Sequence, residues 1–207
     1  MGIKKIYLIR HGQTDYNLKG IVQGSGVDTD LNDTGRRQAR AFFEVYKNIQ
    51  FDRIYASALK RSQQSVQGFT DLGIPITTMP NFNEINWGKK EGQKITPEED
   101  EYYHYMLAQW QAGNVDHRIE GGESPLDVVA RLRPAIELLL SRPGDHTVLL
   151  CMHGRAMRVL LCHLLNYPLR CMDYFEHANL GLYVLHHTGT MFTLKTFNDV
   201  SHLRLFS

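Results

Sequence analysis

The sequence has no long hydrophobic run, no linker and no internal repeat. None of its apolar stretches approaches the roughly 20 residues that a membrane-spanning helix needs. The opening residues, MGIKKIYLIRHG, carry charges and no long apolar core, so we expect neither a signal peptide nor a transmembrane span there. Because no Pro/Gly/Ser-rich segment divides the chain, we expect one domain spanning residues 1–207.

The sequence also lacks an excess of either charge. Lysine and arginine total 23, against 22 for aspartate and glutamate. Such a balance creates no overall field that attracts nucleic acid or an anionic membrane, so we expect neither as a partner. Any anion must therefore be bound by a local group of residues.

Cysteine is scarce, and the common metal-binding motifs are missing. The three cysteines, Cys151, Cys162 and Cys171, lack metal-site spacing, and their odd number is typical of reduced thiols in the cytoplasm. Cys151 and His153 would lie on the same side of a strand, which leaves a metal site open, although buried structural cysteines are far more common. The chain has no GKS/T loop, HExxH motif or carboxylate cluster at ligand spacing. We therefore expect no metal, no cofactor and a cytoplasmic location.

The most informative stretch is IRHGQTDYN, which begins at Ile9. The apolar run before it predicts a buried strand that leaves its sheet near Gly12. Arg10 and His11 then lie at the carboxyl end of a strand, which is where open α/β sheets bind ligands. The guanidinium donors of Arg10 beside an imidazole suit an anion such as phosphate.

A second junction of the same kind follows residues 51–56, which predict another strand. Ser57 is placed to cap a helix that runs to Leu72, with Leu59 on its inner face. Arg61 falls in the first turn of this helix, where unpaired amides favour an anion. An arginine on a helix surface is more often simply exposed, so this residue alone does not establish a site.

The third junction follows TVLLCM, residues 147–152, whose continuous apolar pattern predicts a strand buried on both faces. This strand ends at His153 and Gly154. An amphipathic helix is predicted over residues 156–165. The histidine, like His11, therefore lies between a strand and a polar turn.

The remaining elements follow from caps, breakers and periodicity. Asn32 is predicted to cap a helix whose inner face carries Ala39, Phe42, Phe43 and Tyr46. Residues 74–92 predict a short strand and a loop that carries Glu84 and Trp87, and residues 96–112 predict a helix with an acidic start and an aromatic body. Ser124 is predicted to cap a helix with Pro125 in its first position and a kink or break at Pro134, and residues 180–186 and 191–197 predict a terminal hairpin.

Alternating strands and helices predict an α/β fold: a single-domain three-layer sandwich, with a mostly parallel central sheet and helices on both faces. Its carboxyl edge would gather Arg10, His11, Arg61 and His153 into a pocket for a dianion. Without a metal, phosphoryl transfer needs a nucleophile and donors for the equatorial oxygens. A histidine is able to form the covalent intermediate.

These motifs together resemble the histidine phosphatase superfamily, the phosphoglycerate-mutase-like proteins with an RHG motif, along essentially the whole chain. The motifs that carry the resemblance are LIRHGQTDYN, VQG at Val22 to Gly24, LNDTGRRQA from Leu31, SALKRSQQS from Ser57, NEINWGKKEG from Asn83, GGES from Gly121, CMHGRAMR from Cys151 and the closing NDVSHL.

The resemblance implies a role for each matching residue. His11 would be the nucleophile, attacking phosphorus as the neutral imidazole, and Glu84 would protonate the leaving oxygen and later accept a proton from water. His153 would complete the catalytic set and contact the phosphoryl oxygens. The residues that the resemblance implies for phosphate binding are Arg10, Asn17 and Arg61, with Gln23 and the Gly24 amide at the rim, and Gly154 after the second histidine.

The proton donor is not fully determined by the resemblance. One branch of the family carries an aspartate directly after the second histidine, where this chain has Gly154. Glu84 fits the other branch, and Glu123 remains an alternative, although a glutamate near a helix cap is commonly structural.

Departures from the family pattern favour a phosphatase over a mutase. The mutases carry an arginine directly after the glutamate, where this chain has Ile85 and Asn86, and it lacks their longer insertion. No lysine or arginine lies between Lys94 and Arg118 to neutralise a second phosphate. The stretch QGSGVDTDL is one residue longer than usual, which leaves the rim contacts of Gln23 and Gly24 less determined.

The sequence thus predicts a metal-independent phosphatase that acts on a small-molecule phosphate ester through phosphohistidine. A phosphoglycerate mutase and a non-catalytic phosphate-ligand binder remain as alternatives. Residues 89–123, rich in aromatic side chains, are expected to form an insertion that covers the substrate. The sequence does not specify the substrate, and it leaves the oligomeric state open, with a homodimer as one alternative.

Overall fold

The computed structural model describes residues 3–94 and 100–206. Six strands form one sheet in the order β3-β2-β4-β1-β5-β6. They are β1 (Lys4–Arg10), β2 (Arg53–Ser57), β3 (Ile76–Met79), β4 (Thr147–Met152), β5 (Leu182–His187) and β6 (Phe192–Asp199). The pairs β1–β4, β2–β4 and β2–β3 are parallel, and the closing pairs β1–β5 and β5–β6 are antiparallel.

Helices alternate with these strands along the chain. They are α1 (Asp15–Lys19), α2 (Asp33–Tyr46), α3 (Lys60–Ser65), α4 (Gln67–Asp71), α5 (Glu101–Gln111), α6 (Pro125–Ser141) and α7 (Gly154–Leu164). Short 3₁₀ turns cover Pro80–Phe82, Gly88–Lys90, Leu169–Tyr174 and Ser201–Phe206.

The sheet separates two hydrophobic cores because successive strand residues face opposite sides. On β4, Leu150 joins the core formed with α5, α6 and α7. Its neighbours Leu149 and Cys151 join the core formed with α2 and α4. This alternation confirms the prediction of a three-layer α/β fold with a mostly parallel sheet and helices on both faces.

The central strands end together at one edge. Arg10, the last residue of β1, is in register with Met152, the last residue of β4. Ala56, near the end of β2, is in register with Cys151. The residues that follow these strands, among them His11 and His153, therefore lie side by side.

Two helix starts match the predictions, and one does not. Asn32 caps α2 through a hydrogen bond to the Gly35 amide at 2.9 Å, and Ser124 caps α6 in a reciprocal capping box with Asp127. Ser57, however, is the last residue of β2 and not the cap of the next helix. Its hydroxyl does accept a hydrogen bond from the Leu59 amide, but it also pairs with His153.

The bounds of three helices differ from those predicted. The helix predicted to run unbroken to Leu72 is divided at Val66 into α3 and α4. In contrast, α6 continues through Pro134 as one helix and is not split there. Of the helix predicted over 96–112, residues 96–99 lie outside the described ranges, and α5 begins at Glu101, where Asp100 accepts a hydrogen bond from the Tyr103 amide.

Candidate active site

The nucleophile candidate, His11, lies directly after β1. Its backbone amide donates to the Met152 carbonyl at 3.0 Å, which continues the β1–β4 pairing by one residue. The next amide, of Gly12, donates to Ser65 Oγ at 2.9 Å. Both sides of the turn are thus hydrogen-bonded, so the position of the His11 ring is well defined.

The His11 imidazole is held in its neutral form. Burial, followed by the charges of Arg61 and Arg10, lowers the pKa of His11 well below 6.5. Nδ1 lies 2.7 Å from the carbonyl oxygen of Gly12, so the proton of the neutral ring is on Nδ1. Nε2 therefore keeps its lone pair.

The second histidine, His153, lies beside the first at the start of α7. The ring centroids of His11 and His153 are 5.0 Å apart. His153 Nδ1 accepts a hydrogen bond from Arg61 Nε at 3.2 Å. His153 Nε2 therefore carries the proton and donates to Ser57 Oγ at 2.7 Å. Burial, and then Arg61 and His11, lower the pKa of His153 well below 6.5, so this ring is also neutral.

Arg61 is fully buried and links His153 to the loop after Gly24. Its Nη1 donates to the Val27 carbonyl at 2.6 Å, and its Nη2 donates to the Gly24 carbonyl at 3.2 Å. Burial lowers the pKa of Arg61 to about 10, although the charge of Glu84 opposes this shift. A Cβ at Gly24 would lie 2.8 Å from the backbone carbonyl oxygen of Ile85 as well as 1.9 Å from the Glu91 carboxylate, so a larger residue would force the backbone to shift.

Arg10 is anchored by a residue that the sequence analysis did not single out. Its Nη1 donates to the carbonyl oxygen of His177 at 2.7 Å and lies 3.2 Å from His177 Nδ1. Its Nε is buried without a hydrogen-bond partner in the described structure. Burial lowers the pKa of Arg10 to about 10, against the opposing charge of Glu84. A Cβ at Gly154 would lie 3.3 Å from the His177 ring and 3.5 Å from Arg10 Nε.

Glu84 reaches the site from the loop after β3, and its carboxylate lies at the N-terminus of α7. One oxygen accepts from the Ala156 amide at 2.8 Å and from the Ile85 amide at 2.9 Å, and the other accepts from the Arg155 amide at 3.0 Å. The first-turn amides of a helix favour an anion at this position. These three donors fix the orientation of the carboxylate.

Glu123, the alternative proton donor, has another role in the structure. Arg131 holds both of its oxygens, from Nε at 2.8 Å and from Nη2 at 3.1 Å. The Asn86 amide donates to the same carboxylate at 2.9 Å. Glu123 thus connects the loop of Glu84 to α6, and it does not line the cavity described next.

A cavity of about 290 Å³ opens onto these residues. Its polar lining consists of His11, Arg10, Glu84, Asn17 and Gln23. Gln23 donates to Thr14 Oγ1 at 2.7 Å and accepts from Thr29 Oγ1 at 2.6 Å. Gly20, Ile21, Val22, Trp87 and Tyr103 form the rest of the wall.

The structure thus brings the nine predicted site residues to one sheet edge, in two sets. The set that lines the cavity is Arg10, His11, Asn17, Gln23 and Glu84. The set that lies behind this lining is Gly24, Arg61, His153 and Gly154, all buried.

The sequence analysis does not predict three contacts to the candidate site residues: His177 with Arg10, Asn179 with His11, and Ser57 with His153. The Asn179 side chain donates to the His11 carbonyl at 2.9 Å. His177 and Asn179 lie in an irregular segment without a periodic pattern, so no local signal identifies them. Ser57 follows a strand and precedes a helix, a position that predicts a helix cap and not a contact with His153.

Within residues 3–94 and 100–206, no group of three or more His, Cys, Asp or Glu side chains is arranged to hold a metal ion. In the same ranges, no helix combines the length and apolar character that crossing a bilayer requires.

Comparisons with known proteins identify the family of this chain. Residues 6–200 match the family model of the histidine phosphatase superfamily, branch 1. The probable phosphoglycerate mutase GpmB of Yersinia enterocolitica is 33% identical over 168 residues, which cover 79% of this chain and 76% of that protein.

Solved structures agree in fold. A mycobacterial glucosyl-3-phosphoglycerate phosphatase in complex with VO3 superposes with a TM-score of 0.85 at 29% identity, covering 95% of this chain and 99% of that one. A putative alpha-ribazole-5'-P phosphatase of Escherichia coli has a TM-score of 0.82 at 22% identity, covers 95% of this chain and 96% of that one, and shows the fold alone. Phosphatase or mutase chemistry on phosphate esters is the general activity that these relatives support. The chain belongs to branch 1 of the histidine phosphatase superfamily.

Proposed function

We propose that this protein hydrolyses a small phosphomonoester through a phosphohistidine on His11, without a metal ion. The observation that carries the proposal is the state of the His11 ring in the cavity. Its Nδ1–H donates a hydrogen bond to the Gly12 carbonyl, and burial together with two neighbouring arginines keeps the ring neutral. Nε2 is therefore an unprotonated nucleophile, as phosphoryl transfer to nitrogen requires.

The first step transfers the phosphoryl group. The Nε2 lone pair forms the N–P bond while the bond from phosphorus to the ester oxygen breaks. Glu84, which lines the same cavity, takes a proton from the phosphomonoester monoanion as it binds and gives it to the departing oxygen, so that an alcohol leaves. Arg10 and Asn17, which line the cavity, contact the phosphoryl oxygens, and the buried charge of Arg61 stabilises the added negative charge.

The second step returns the enzyme to its initial state. Glu84, now a carboxylate, accepts a proton from a water molecule whose oxygen attacks phosphorus. The N–P bond breaks and inorganic phosphate leaves, with the electron pair back on His11 Nε2. The role of His153 is to support both steps: its neutral ring lies beside His11 and is held by Arg61 and Ser57.

We also propose that residues 89–123 cover the substrate. Tyr103 on α5 lines the cavity, and its ring centroid lies 5.6 Å from that of Trp87. The helix is anchored through Trp110, which is fully buried and donates to the His117 carbonyl at 2.8 Å. Arg155 of α7 lies over the Trp110 ring at 5.5 Å, which connects this cover to the site.

The test is to trap the intermediate. Wild-type protein incubated with p-nitrophenyl phosphate in EDTA is expected to release nitrophenol continuously. A rapid quench is expected to give a phosphoprotein that is labile in acid, with the phosphate on His11. His11→Ala is expected to abolish both signals. His186→Ala is a matched control, because His186 pairs with Lys5 near the other end of β1. Turnover in His11→Ala would contradict the proposal.

Phosphoglycerate mutase activity is a second candidate, which the name of the Yersinia relative favours. It requires the phosphoenzyme to return its phosphoryl group to the other hydroxyl of a bound glycerate. Incubation with 3-phosphoglycerate distinguishes the two. A phosphatase yields inorganic phosphate, whereas a mutase yields 2-phosphoglycerate and keeps total ester phosphate constant.

A further inference from the structure

His177 makes two contacts with one atom of Arg10. Both its carbonyl oxygen, at 2.7 Å, and its ring Nδ1, at 3.2 Å, face Arg10 Nη1. Because a guanidinium has only donors, Nδ1 accepts this hydrogen bond, and the proton of the neutral ring is on Nε2. A single residue thus binds both hydrogens of one guanidinium nitrogen.

We propose that His177 is a positioning residue that orients the guanidinium of Arg10 toward the phosphoryl group, an inference that rests on the proposed function of the cavity. With Nη1 bound to His177, the guanidinium cannot rotate without breaking two hydrogen bonds. Its Nε remains a buried donor without a partner in the described structure. A donor left unpaired in this way is stabilised when a ligand oxygen reaches it.

The segment around His177 is shaped to support the strand end. Asn179 donates to the His11 carbonyl at 2.9 Å and to Asn17 Oδ1 at 3.3 Å. The Leu180 amide donates to the Arg10 carbonyl at 3.0 Å. Residues 177–180 therefore contact three of the residues that line the cavity.

The backbone of this segment is strained. Leu180 is fully buried and has a φ of 56°, in the left-handed region that leucine rarely adopts. Such strain persists only where the surrounding contacts impose it. Here Asn198 on β6 accepts from the Ala178 amide at 3.1 Å, and the Gly181 amide donates back to the Ala178 carbonyl at 2.9 Å. The strained turn brings His177 to Arg10.

The ring of His177 has little room to move. It packs against Gly154 at the first turn of α7, where even a Cβ would lie 3.3 Å from it. Burial and the charges of Arg10 and Arg158 lower the pKa of His177 to about 3. The ring therefore stays neutral, and Nδ1 stays an acceptor, throughout the ordinary pH range.

The experiment compares variants that keep or remove the acceptor atom. His177→Leu removes Nδ1 but retains the backbone carbonyl, whereas His177→Asn places an amide oxygen close to the position of Nδ1. We expect His177→Leu to raise both the Kd for inorganic phosphate and the KM for p-nitrophenyl phosphate about tenfold, with kcat changed less than about threefold. His177→Asn is expected to restore both values to within about threefold of wild type. His186→Leu is the control variant, because it makes the same substitution at a histidine that pairs with Lys5 near the other end of β1.

Phosphate binding by calorimetry is measured separately from turnover, so the two proposals fail in different ways. Wild-type phosphate binding that weakens in His177→Leu, without any hydrolysis, would leave this inference standing and refute the proposed function. Equal phosphate affinity in wild type and His177→Leu would overturn the inference, as would an Asn variant no better than the Leu variant. Histidine ¹⁵N NMR of the wild type tests it without a variant: a proton on Nδ1 of His177 would also overturn it.

Discussion

Replacement of Glu84 by glutamine tests the assignment of the proton donor. Glutamine keeps the shape of the side chain and one acceptor oxygen, which continues to accept from the Ala156 and Ile85 amides. Its NH₂ group then faces the Arg155 amide, which is buried and loses its acceptor. One unpaired buried donor costs about 1–3 kcal/mol, so Tm is expected to fall by roughly 2–10 °C while the protein still folds.

The effect of Glu84→Gln on activity depends on the leaving group. An alkyl phosphate needs a proton on its departing oxygen, so its kcat is expected to fall about 10²- to 10⁴-fold. Nitrophenolate leaves without a proton, so the first step with p-nitrophenyl phosphate remains fast. Hydrolysis of the phosphohistidine stays slow, because glutamine cannot accept the proton of the attacking water. A stopped-flow trace is therefore expected to show a burst of about one nitrophenol per enzyme molecule, followed by slow release.

Glu123→Gln is the matched control for this experiment. Arg131 and the Asn86 amide hold the Glu123 carboxylate away from the cavity, so this change is expected to lower Tm without producing a burst. If Glu84→Gln slowed the alkyl and aryl esters equally and gave no burst, Glu84 would act by positioning alone. If Glu123→Gln gave the burst, the assignment of the two glutamates would be reversed.

Three further predictions concern pH, Ser57 and Tyr103. The folded-state pKa of His177 is about 3, below its unfolded value of 6.5, so its contribution to stability is present above pH 6.5 and is lost on acidification. At pH 4.5 this residue is expected to lower the free energy of unfolding, measured with urea, by about 2–3 kcal/mol relative to pH 7. Equal free energies of unfolding at pH 4.5 and pH 7 would contradict this prediction. Ser57→Ala removes the nearer acceptor of His153 Nε2, leaving Ser62 Oγ at 3.3 Å, and it also removes the acceptor of the Leu59 amide. The expected loss is about 1–3 kcal/mol in the free energy of unfolding, whereas Ser57→Thr, which keeps the hydroxyl, restores most of it. Tyr103→Ala is expected to raise KM for naphthyl phosphate about tenfold with little change for methyl phosphate, while the exposed Tyr105→Ala changes neither.

The parts of the site predicted from sequence are those that a strand end specifies locally. The apolar run before His153 predicts β4, and the register of β4 with β1 then determines that His153 and His11 are neighbours. Strand periodicity and parallel pairing predict that both residues lie at one edge of the sheet, whereas the adjacency of β1 and β4 is known only from the structure. The helix starts at Asn32 and Ser124 were predictable for the same reason: each depends on atoms within three residues.

The contacts that were missed join residues far apart in the chain. His177 lies 167 residues after Arg10, and Ser57 lies 96 residues before His153. Local reasoning interpreted Ser57 as a cap, because serine before a helix commonly has that role. Its hydroxyl instead serves the nearby imidazole as well as the Leu59 amide. The choice between Glu84 and Glu123 likewise depended on Arg131, whose partner only the packing of α6 reveals.

The charges of the candidate site are not balanced. Arg61 is fully buried and Arg10 partly buried, both near two imidazoles that stay neutral. Glu84 is the carboxylate whose charge most opposes the lowered pKa of both arginines. Burying a cation without a matched anion is unfavourable, and the rest of the fold must offset it. A phosphoryl dianion supplies the missing charge. Since the cations are already desolvated and oriented by His177, Gly24 and Val27, little reorganisation accompanies binding. Under the proposed function, the unbalanced positive charge of Arg10 and Arg61 is the physical source of the expected affinity for phosphate.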